Sequence, residues 1–271
     1  QAFGLIALSA ISFLAFLWIE TRAAEPILPL SLFKLNVFWV TCIIGFVAGV
    51  AMFGAITFVP LYLQIGQGST PTESGLQLIP MTFGILAAST FAGRYMGRTG
   101  RYKLLPKLGS ALLFVGMMLL SRLDHDTSMV VFSLSLATVG LGMGCIFPVV
   151  TTAVQNAVPR ETLGTATAAG IMVRQTGGSL GVAAFGALFA ARMATGLADL
   201  GGSLPIGEGA SLGPQSLAKL SPDQQAAIAQ TVIYALHPIY LIAAGLAVVA
   251  FGFSFMLQEV ELFNRHVPKG E

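Results

Sequence analysis

The feature that most constrains the fold of this chain is a series of seven long apolar stretches. A helix needs about 20 apolar residues, with a range of about 17–25, to cross the hydrocarbon core of a bilayer. The stretches are continuous, whereas the strands of a membrane β-barrel alternate in polarity over about ten residues. The sequence therefore predicts an all-α membrane protein with seven spanning helices, at residues 3–19, 38–63, 75–95, 104–120, 129–151, 165–191 and 232–257.

Composition supports a membrane protein. Only 10% of the 271 residues are charged and 55% are hydrophobic, whereas a soluble domain carries roughly 25% charged residues. A net charge of +2 gives no reason to expect an acidic partner, and we expect no nucleic acid. Cys42 and Cys145 lie within apolar stretches and are interpreted as small buried residues, not as a disulfide or metal site. The chain begins with Gln1 and carries no signal-peptide pattern, which indicates part of a longer protein.

A cluster of basic residues between the third and fourth stretches predicts the orientation. Short cytoplasmic loops carry an excess of Lys and Arg. If the turn at 93–107 is cytoplasmic, then segments 20–37, 152–174 and 258–271 lie on the same side. Eleven of the 14 Lys and Arg residues then lie inside. We therefore expect the C-terminus in the cytoplasm. The five basic residues of the turn are Arg94, Arg98, Arg101, Lys103 and Lys107, and the three outside are Arg122, Arg192 and Lys219.

Local signals mark two helix starts and one long loop. Thr70 to Glu73 reads as a capping box with proline at the first helical position, and Ser221 to Gln224 repeats the pattern. Residues 193–220 are rich in Gly, Ser and Pro and are expected to form the one long, mobile outer loop. Residues 223–236 predict a helix that leads into the last span, bent near Pro238. His237 is interpreted as an interfacial residue in preference to a proton carrier.

Small residues at helical spacing predict close helix packing, because lipid-embedded helices approach through small side chains. The alternative is that these seams slide or bend during function, with Pro60 and Pro148 as weak points. Arg174 lies in one of the stripes and either snorkels to the inner surface or makes an interior contact. The residues proposed for packing and conformational change are Gly140, Gly144, Pro148, Arg174, Gly177 and Gly181, with Gly45, Gly49 and Gly170 at the same spacings.

One side of the second stretch predicts a ligand pocket. Aromatic rings with one or two polar groups suit an apolar, poorly specific site, and lipid contact or ordinary packing is the alternative. The candidates for this cavity are Phe46, Phe53, Thr57 and Gln64 of the second stretch and Cys145 of the fifth.

Chemistry absent from the sequence is also informative. No Asp or Glu lies in the middle of a stretch, although an ion-coupled carrier generally needs an intramembrane acid. Any coupling carboxylate would therefore lie outside this chain. The sequence also lacks a zinc-protease motif, a phosphate-binding loop and a Ser/His/Asp arrangement, so an enzyme is not favoured and no cofactor is expected.

The turn at Gly93-x-x-x-Gly97-Arg98-x-Gly100-Arg101 resembles the cytoplasmic loop motif of the major facilitator superfamily, with Gly97 where an Asp is usual. Further segments resemble the EmrB/QacA-type fourteen-span drug:proton antiporters. They are Pro60-Leu61-Tyr62-Leu63-Gln64, Gly140-Leu141-Gly142-Met143-Gly144 with Pro148, and Arg174-Gln175 with Gly177-Gly178-Ser179-x-Gly181.

This resemblance implies an organisation and a function. Residues 1–37 would be the last helix of a central insert plus a linker, 38–257 a C-terminal bundle of two inverted three-helix repeats, and 258–271 a cytoplasmic tail. It implies multidrug efflux of small amphipathic or cationic drug-like substrates, driven by a proton gradient across the bacterial inner membrane, with an N-terminal half outside this chain. Gly93, Gly97, Arg98, Gly100 and Arg101 would form the gating and topology loop. A carrier for one metabolite, such as a lipid precursor, sugar or siderophore, is the alternative.

Overall fold

The computed structural model describes residues 2–20, 22, 30–199 and 221–260. All the regular elements of this part of the chain are helical. Two 3₁₀ turns, at Leu30–Lys34 and Arg160–Thr162, and one π-helical turn, at Tyr62–Gly66, adjoin the α-helices. The α-helices are α1 (Ala2–Glu20), α2 (Asn36–Leu61), α3 (Pro71–Leu76), α4 (Ile79–Thr99), α5 (Leu104–Leu120), α6 (Met129–Ala157), α7 (Leu163–Asp199) and α8 (Pro222–Met256).

The predicted spanning stretches coincide with helices. Within the described residues, five helical segments are long and apolar enough to cross a membrane, and α5 is a shorter apolar helix. With 17 residues, α5 reaches the lower end of the spanning range. The described side chains of α1 include large apolar groups that are exposed, such as Leu8, Leu14 and Trp18. The all-α fold predicted from the apolar stretches is confirmed.

The third stretch is divided into two helices, which the sequence prediction missed. The capping box forms as predicted, with the Thr70 N–H donating to Glu73 Oε2 at 2.8 Å, but it opens the six-residue α3. Pro80 lies in the first turn of α4. A proline at this position has no N–H to donate to Leu76, so the helix ends and restarts around it.

Two helices are longer than predicted at the ends beyond their apolar centres. α7 continues to Asp199, so the first residues of the expected outer loop are helical, and 200–220 lie outside the described residues. α8 starts at Pro222 on a capping box between Ser221 and Gln224 and runs unbroken through Pro238. The predicted helix leading into the last span is therefore the first part of α8 itself.

Glycines bring two pairs of helices into backbone contact. In the α4–α6 seam, a Cβ added at Gly144 would lie 2.5 Å from the Ile85 carbonyl oxygen. In the α2–α7 seam, a Cβ added at Gly177 would lie 2.5 Å from the Phe46 carbonyl oxygen. α5 packs against α6 and α8. The second helix of each three-helix repeat thus packs on the first helix of the other repeat, so the two repeats make equivalent contacts with one another.

At one end of the bundle, called the Tyr102 end, the α4–α5 turn contacts the segment after α8. The Tyr102 side chain is fully buried. Its hydroxyl donates to the Gln258 carbonyl oxygen at 2.8 Å and accepts from the Val260 N–H at 3.1 Å. The Gln258 N–H donates to Asn36 Oδ1 at 3.1 Å. The segments before α2, between α4 and α5, and after α8 therefore meet at one end, as the alternating topology predicted.

The opposite end, called the Asp124 end, is joined by side chains that bind backbone carbonyls of the α5–α6 turn. The Tyr62 hydroxyl donates to the Asp124 carbonyl oxygen at 2.9 Å. His237 Nε2 lies 2.7 Å from the Leu123 carbonyl oxygen, which can only accept, so Nε2 carries the proton. His125 Nδ1 lies 3.1 Å from the Gly66 carbonyl oxygen and donates in the same way.

Candidate functional site

The predicted ligand side of α2 is the side that other described helices cover least. Thr57 is exposed, and Phe46, Phe53 and Gln64 are partly exposed. The rest of α2 is largely buried among α6, α7 and α8. Phe46, Phe53 and Thr57 therefore line one open side of α2, and Gln64 in the following π-helical turn continues this side. Together they extend from the middle of the bundle to the Asp124 end.

The aromatic residues of this side are held by glycines of α7. The Phe46 backbone lies against Gly177 and the Phe53 ring against Gly178. Behind them, the Phe58 ring contacts Phe189, with 6.0 Å between centroids. Aromatic pairs at such spacing are favourable, so the Phe58–Phe189 pair helps to stabilise the α2–α7 seam behind the open side.

Gln64 is positioned by a side chain of α3. Its Nε2 donates to Ser74 Oγ at 2.9 Å, and the Ser74 hydroxyl donates to the Pro71 carbonyl oxygen at 2.9 Å. The bond fixes the amide, and the Gln64 side-chain oxygen has no hydrogen bond to another described residue. Gln64 can therefore accept a hydrogen bond from a ligand while it supports the α2–α3 connection.

Cys145 does not join this group. Cys145 is 5% exposed and lies at the α5–α6 contact. A Cβ added at Gly109 of α5 would be 3.1 Å from the Cβ of Cys145. The structure therefore separates Cys145 from the open side of α2. Its small side chain fits the close approach of two helices.

Arg174 lies in a small niche between α2, α6 and α7. The cavity has a volume of about 10 Å³, which is about the space that one water molecule needs. The guanidinium carbon is 4.8 Å from the centroid of the Phe147 ring, within the range of a cation–π interaction. Within the described part of the chain, the buried Nε has no hydrogen-bond partner. The niche is lined by Gly45, Phe147, Val150, Thr151, Thr167 and Gly170, among others.

The predicted gating and topology loop is only partly a loop. Gly93, Gly97 and Arg98 are exposed residues in the last turns of α4, and Gly100 and the exposed Arg101 follow in the turn before α5. Gly100 is in the left-handed region, with φ 67°, and its N–H donates to the Met96 carbonyl oxygen at 2.9 Å. This is the common glycine C-cap of a helix, which lets α4 end sharply before α5.

Burial of Tyr102 in this turn affects its ionisation. Burial and then the charge of Glu259 raise the pKa of the Tyr102 hydroxyl, although the hydrogen bond from the Val260 N–H lowers it. The phenol therefore stays protonated at neutral pH and keeps its bond to the segment after α8.

Most residues proposed for packing and conformational change lie at helix contacts. Gly140 and Gly144 face α4, Gly177 and Gly181 face α2, and the Gly49 position of α2 meets the Arg174 backbone. A Cβ added at Gly170 would meet no atom within 4 Å, so Gly170 contributes to no close contact. α6 continues as a helix through Pro148. The sliding or bending role of these residues stays a prediction.

Two contacts of the site had no usable signal in the sequence. Phe147 is one of 19 phenylalanines, and nothing in its spacing points to Arg174. Tyr102 reaches a carbonyl 156 positions away. Both contacts depend on how distant helices meet, which helical spacing within one segment does not describe.

The sequence profile of the Major Facilitator Superfamily matches residues 2–182. The chain belongs to this superfamily. The superfamily assignment accounts for the helical repeats and identifies a transport protein, not an enzyme. It agrees with the resemblance inferred from the turn motif.

Two relatives of this chain are transporters. The chain is 40% identical over 265 residues to an uncharacterised MFS-type transporter of Mycobacterium tuberculosis, and the match covers 97% of this chain and 38% of the relative. It is 37% identical over 201 residues to the multidrug transporter protein MdtP of Bacillus subtilis, covering 73% of this chain and 37% of the relative. The chain thus spans less than half the length of these relatives.

A solved structure supports the same fold. The superfamily chain superimposes with a TM-score of 0.65 on a bacterial homologue of the human lysosomal transporter Spinster, in an inward-facing and occupied conformation. The match covers 82% of this chain and 49% of that chain, at 16% sequence identity. This likeness concerns the fold alone.

Proposed function

We propose that this chain is the C-terminal half of a longer secondary transporter that exports drug-like compounds in exchange for protons. The observation that carries the proposal is the 37% identity to a multidrug transporter over 73% of this chain. The EmrB/QacA-type resemblance of the 60–64, 140–148 and 174–181 segments supports the same subtype. The partner that completes the transporter would be an N-terminal half outside this chain.

The open side of α2 supports a drug-binding role. It combines the half-exposed rings of Phe46 and Phe53 with the hydroxyl of Thr57 and the amide of Gln64. Binding sites for apolar ligands have mostly aromatic and aliphatic walls with a few placed polar groups. An N-terminal half packed against the exposed sides of α4 and α7 would close this side into a cavity.

We propose that the Tyr102 end faces the cytoplasm of a bacterial cell and that the chain resides in the inner membrane. At this end, Arg98 lies in the last turn of α4 and Arg101 and Lys103 lie in the turn that follows, and short cytoplasmic loops are enriched in such residues. The proton-coupling carboxylate would lie in the N-terminal half, since the middle of the described helices contains none.

The test is export by the full-length protein in an efflux-deficient bacterial host. We expect cells that express it to accumulate less of several amphipathic dyes, and a protonophore to abolish the difference. Unchanged accumulation of all dyes, despite membrane expression of the protein, would contradict drug export. Export that survives the protonophore would contradict proton exchange and leave export itself intact.

A further inference from the structure

Arg174 is a partly buried charged residue about a third of the way along α7. It lies eleven positions after the start of α7, which is about 16 Å along a helix. An arginine side chain at the centre of a bilayer-spanning helix disfavours membrane insertion. The helices that face it, α2 and α6, contain no charged residue. No acidic side chain of the described segments therefore neutralises Arg174 from these helices.

The surroundings hold the guanidinium without saturating it. Phe147 supports its face at 4.8 Å, and the Arg174 backbone is fixed where α7 meets Gly49 of α2. A guanidinium carries five N–H donors in a planar fork. In the described part of the chain, the buried Nε has no hydrogen-bond partner.

The niche also offers a place for an acceptor. Its cavity of about 10 Å³ matches the space of one water molecule, and therefore of one carboxylate or phenolate oxygen. The hydroxyl of Thr167 donates to the Leu163 carbonyl oxygen at 2.8 Å and accepts from Gln155 Nε2 at 3.3 Å. The Thr151 hydroxyl donates to the Phe147 carbonyl oxygen at 3.2 Å. With these hydroxyl protons engaged, Arg174 is the donor left for an incoming oxygen.

We propose that Arg174 recognises an anionic oxygen, such as a carboxylate or phenolate, on the compound that the transporter carries. The inference rests on the proposed export function and assigns its drug-like substrates to an anionic or zwitterionic class, in place of the amphipathic or cationic compounds that the sequence resemblance implies. Guanidinium groups bind such oxygens through charge-assisted hydrogen bonds, and the half-exposed rings of Phe46 and Phe147 would contact the apolar part of the compound.

The experiment compares two dyes with the same xanthene ring system and opposite charge, anionic fluorescein and cationic rhodamine 6G. Binding to the purified full-length protein in nanodiscs is measured by fluorescence polarisation, and export is measured in cells. The variants are Arg174→Gln, which removes the charge, and Arg174→Lys, which keeps it. Arg192→Gln is the matched control, because Arg192 is an exposed arginine at the other end of α7.

We expect Arg174→Gln to weaken fluorescein binding about tenfold or more and to leave rhodamine 6G binding unchanged. Arg174→Lys should retain part of the affinity, and Arg192→Gln should match the wild type. Equal loss of both dyes in Arg174→Gln would overturn the inference, because it would indicate an internal ion pair or a packing role.

The outcomes separate this inference from the proposed function. A wild-type protein that exports only rhodamine 6G, independently of Arg174, would retain the export function and refute the anionic class. Arg174-dependent binding of fluorescein without export of either dye would support the recognition site and refute export. Failure to bind either dye would refute both.

Discussion

Replacing Gly140 by alanine should loosen the α4–α6 seam. A Cβ added at Gly140 would lie 2.9 Å from the carbonyl carbon of Met81 and 3.1 Å from its Cα, and ordinary contacts begin at 3.4 Å. These are backbone atoms, so no side-chain rotation can relieve the overlap. The Met81 carbonyl oxygen would be nearer still, so the two helices would have to separate locally by more than about 0.5 Å, the difference between 2.9 and 3.4 Å. Other contacts of the seam, such as Gly144 against Ile85, would loosen with it.

The expected magnitude comes from a matched substitution. Overpacking in a close-packed contact costs about 1–3 kcal/mol, and a backbone collision belongs to the upper part of that range. Alanine is also a better helix former than glycine by about 1 kcal/mol, which opposes the loss. Gly245→Ala in α8 has the same propensity gain and no atom within 4 Å of its added Cβ. The difference between the two variants therefore isolates the collision, at about 2–3 kcal/mol.

The assay is the apparent melting temperature of the purified full-length protein in one detergent. A domain of this size shifts by about 2–4 °C for each kcal/mol, so Gly140→Ala should melt at least about 4 °C below Gly245→Ala. Gly177→Ala, in the α2–α7 seam, should fall in the same direction. If Gly140→Ala melts as high as Gly245→Ala, the close approach of α4 and α6 is not a rigid contact and the reasoning fails.

Three further predictions concern the ends of the bundle. Tyr102→Phe removes the hydroxyl that binds the Gln258 carbonyl oxygen and the Val260 N–H, which should lower the free energy of unfolding by about 1–3 kcal/mol. Unchanged stability to denaturant would show that these two hydrogen bonds do not stabilise the Tyr102 end. Gln64→Ala should change the profile of exported dyes, whereas Ser74→Ala, which removes the same hydrogen bond, should not; equal effects would make Gln64 structural. Neutralising Arg98 and Arg101 together should disturb topology or transport. Topology is measured by labelling a Thr99→Cys variant with a membrane-impermeant thiol reagent, because Thr99 is exposed and Cys42 and Cys145 are buried. Unchanged sidedness with normal transport would contradict that role.

The sequence predicts the helices well because the bilayer sets a length that an apolar stretch either reaches or does not. The span predicted at 104–120 is α5 to the residue. Predictions fail where apolar length is not the deciding property. α7 extends to Asp199 because several residues beyond the predicted span, such as Met193, Ala194 and Leu197, are good helix formers. The break between α3 and α4 follows from Pro80, a local signal that a hydropathy reading passes over.

The site is less predictable than the fold because it depends on contacts between distant segments. The spacing of Phe46 and Phe53 correctly places them on one side of α2, since that is a property of one helix. Cys145 lies on α6, next to α2, but its side chain faces α5. The residue pattern within α6 does not show whether Cys145 faces α5 or the open side of α2. Arg174 is conspicuous from composition alone, yet its partner Phe147 becomes evident only when α6 and α7 are brought together.

The two glycine seams determine how a bundle of this kind can move. Each seam joins one three-helix repeat to the other, because α4 packs on α6 and α7 packs on α2. The backbone contacts at Gly140 and Gly177 are close, so sliding one repeat past the other would break them. We therefore expect the bundle to move as one body, with Arg174 held at a constant position between α2, α6 and α7. Access to that position would then be opened and closed by whatever packs against the open side of α2, and not by rearrangement within the bundle.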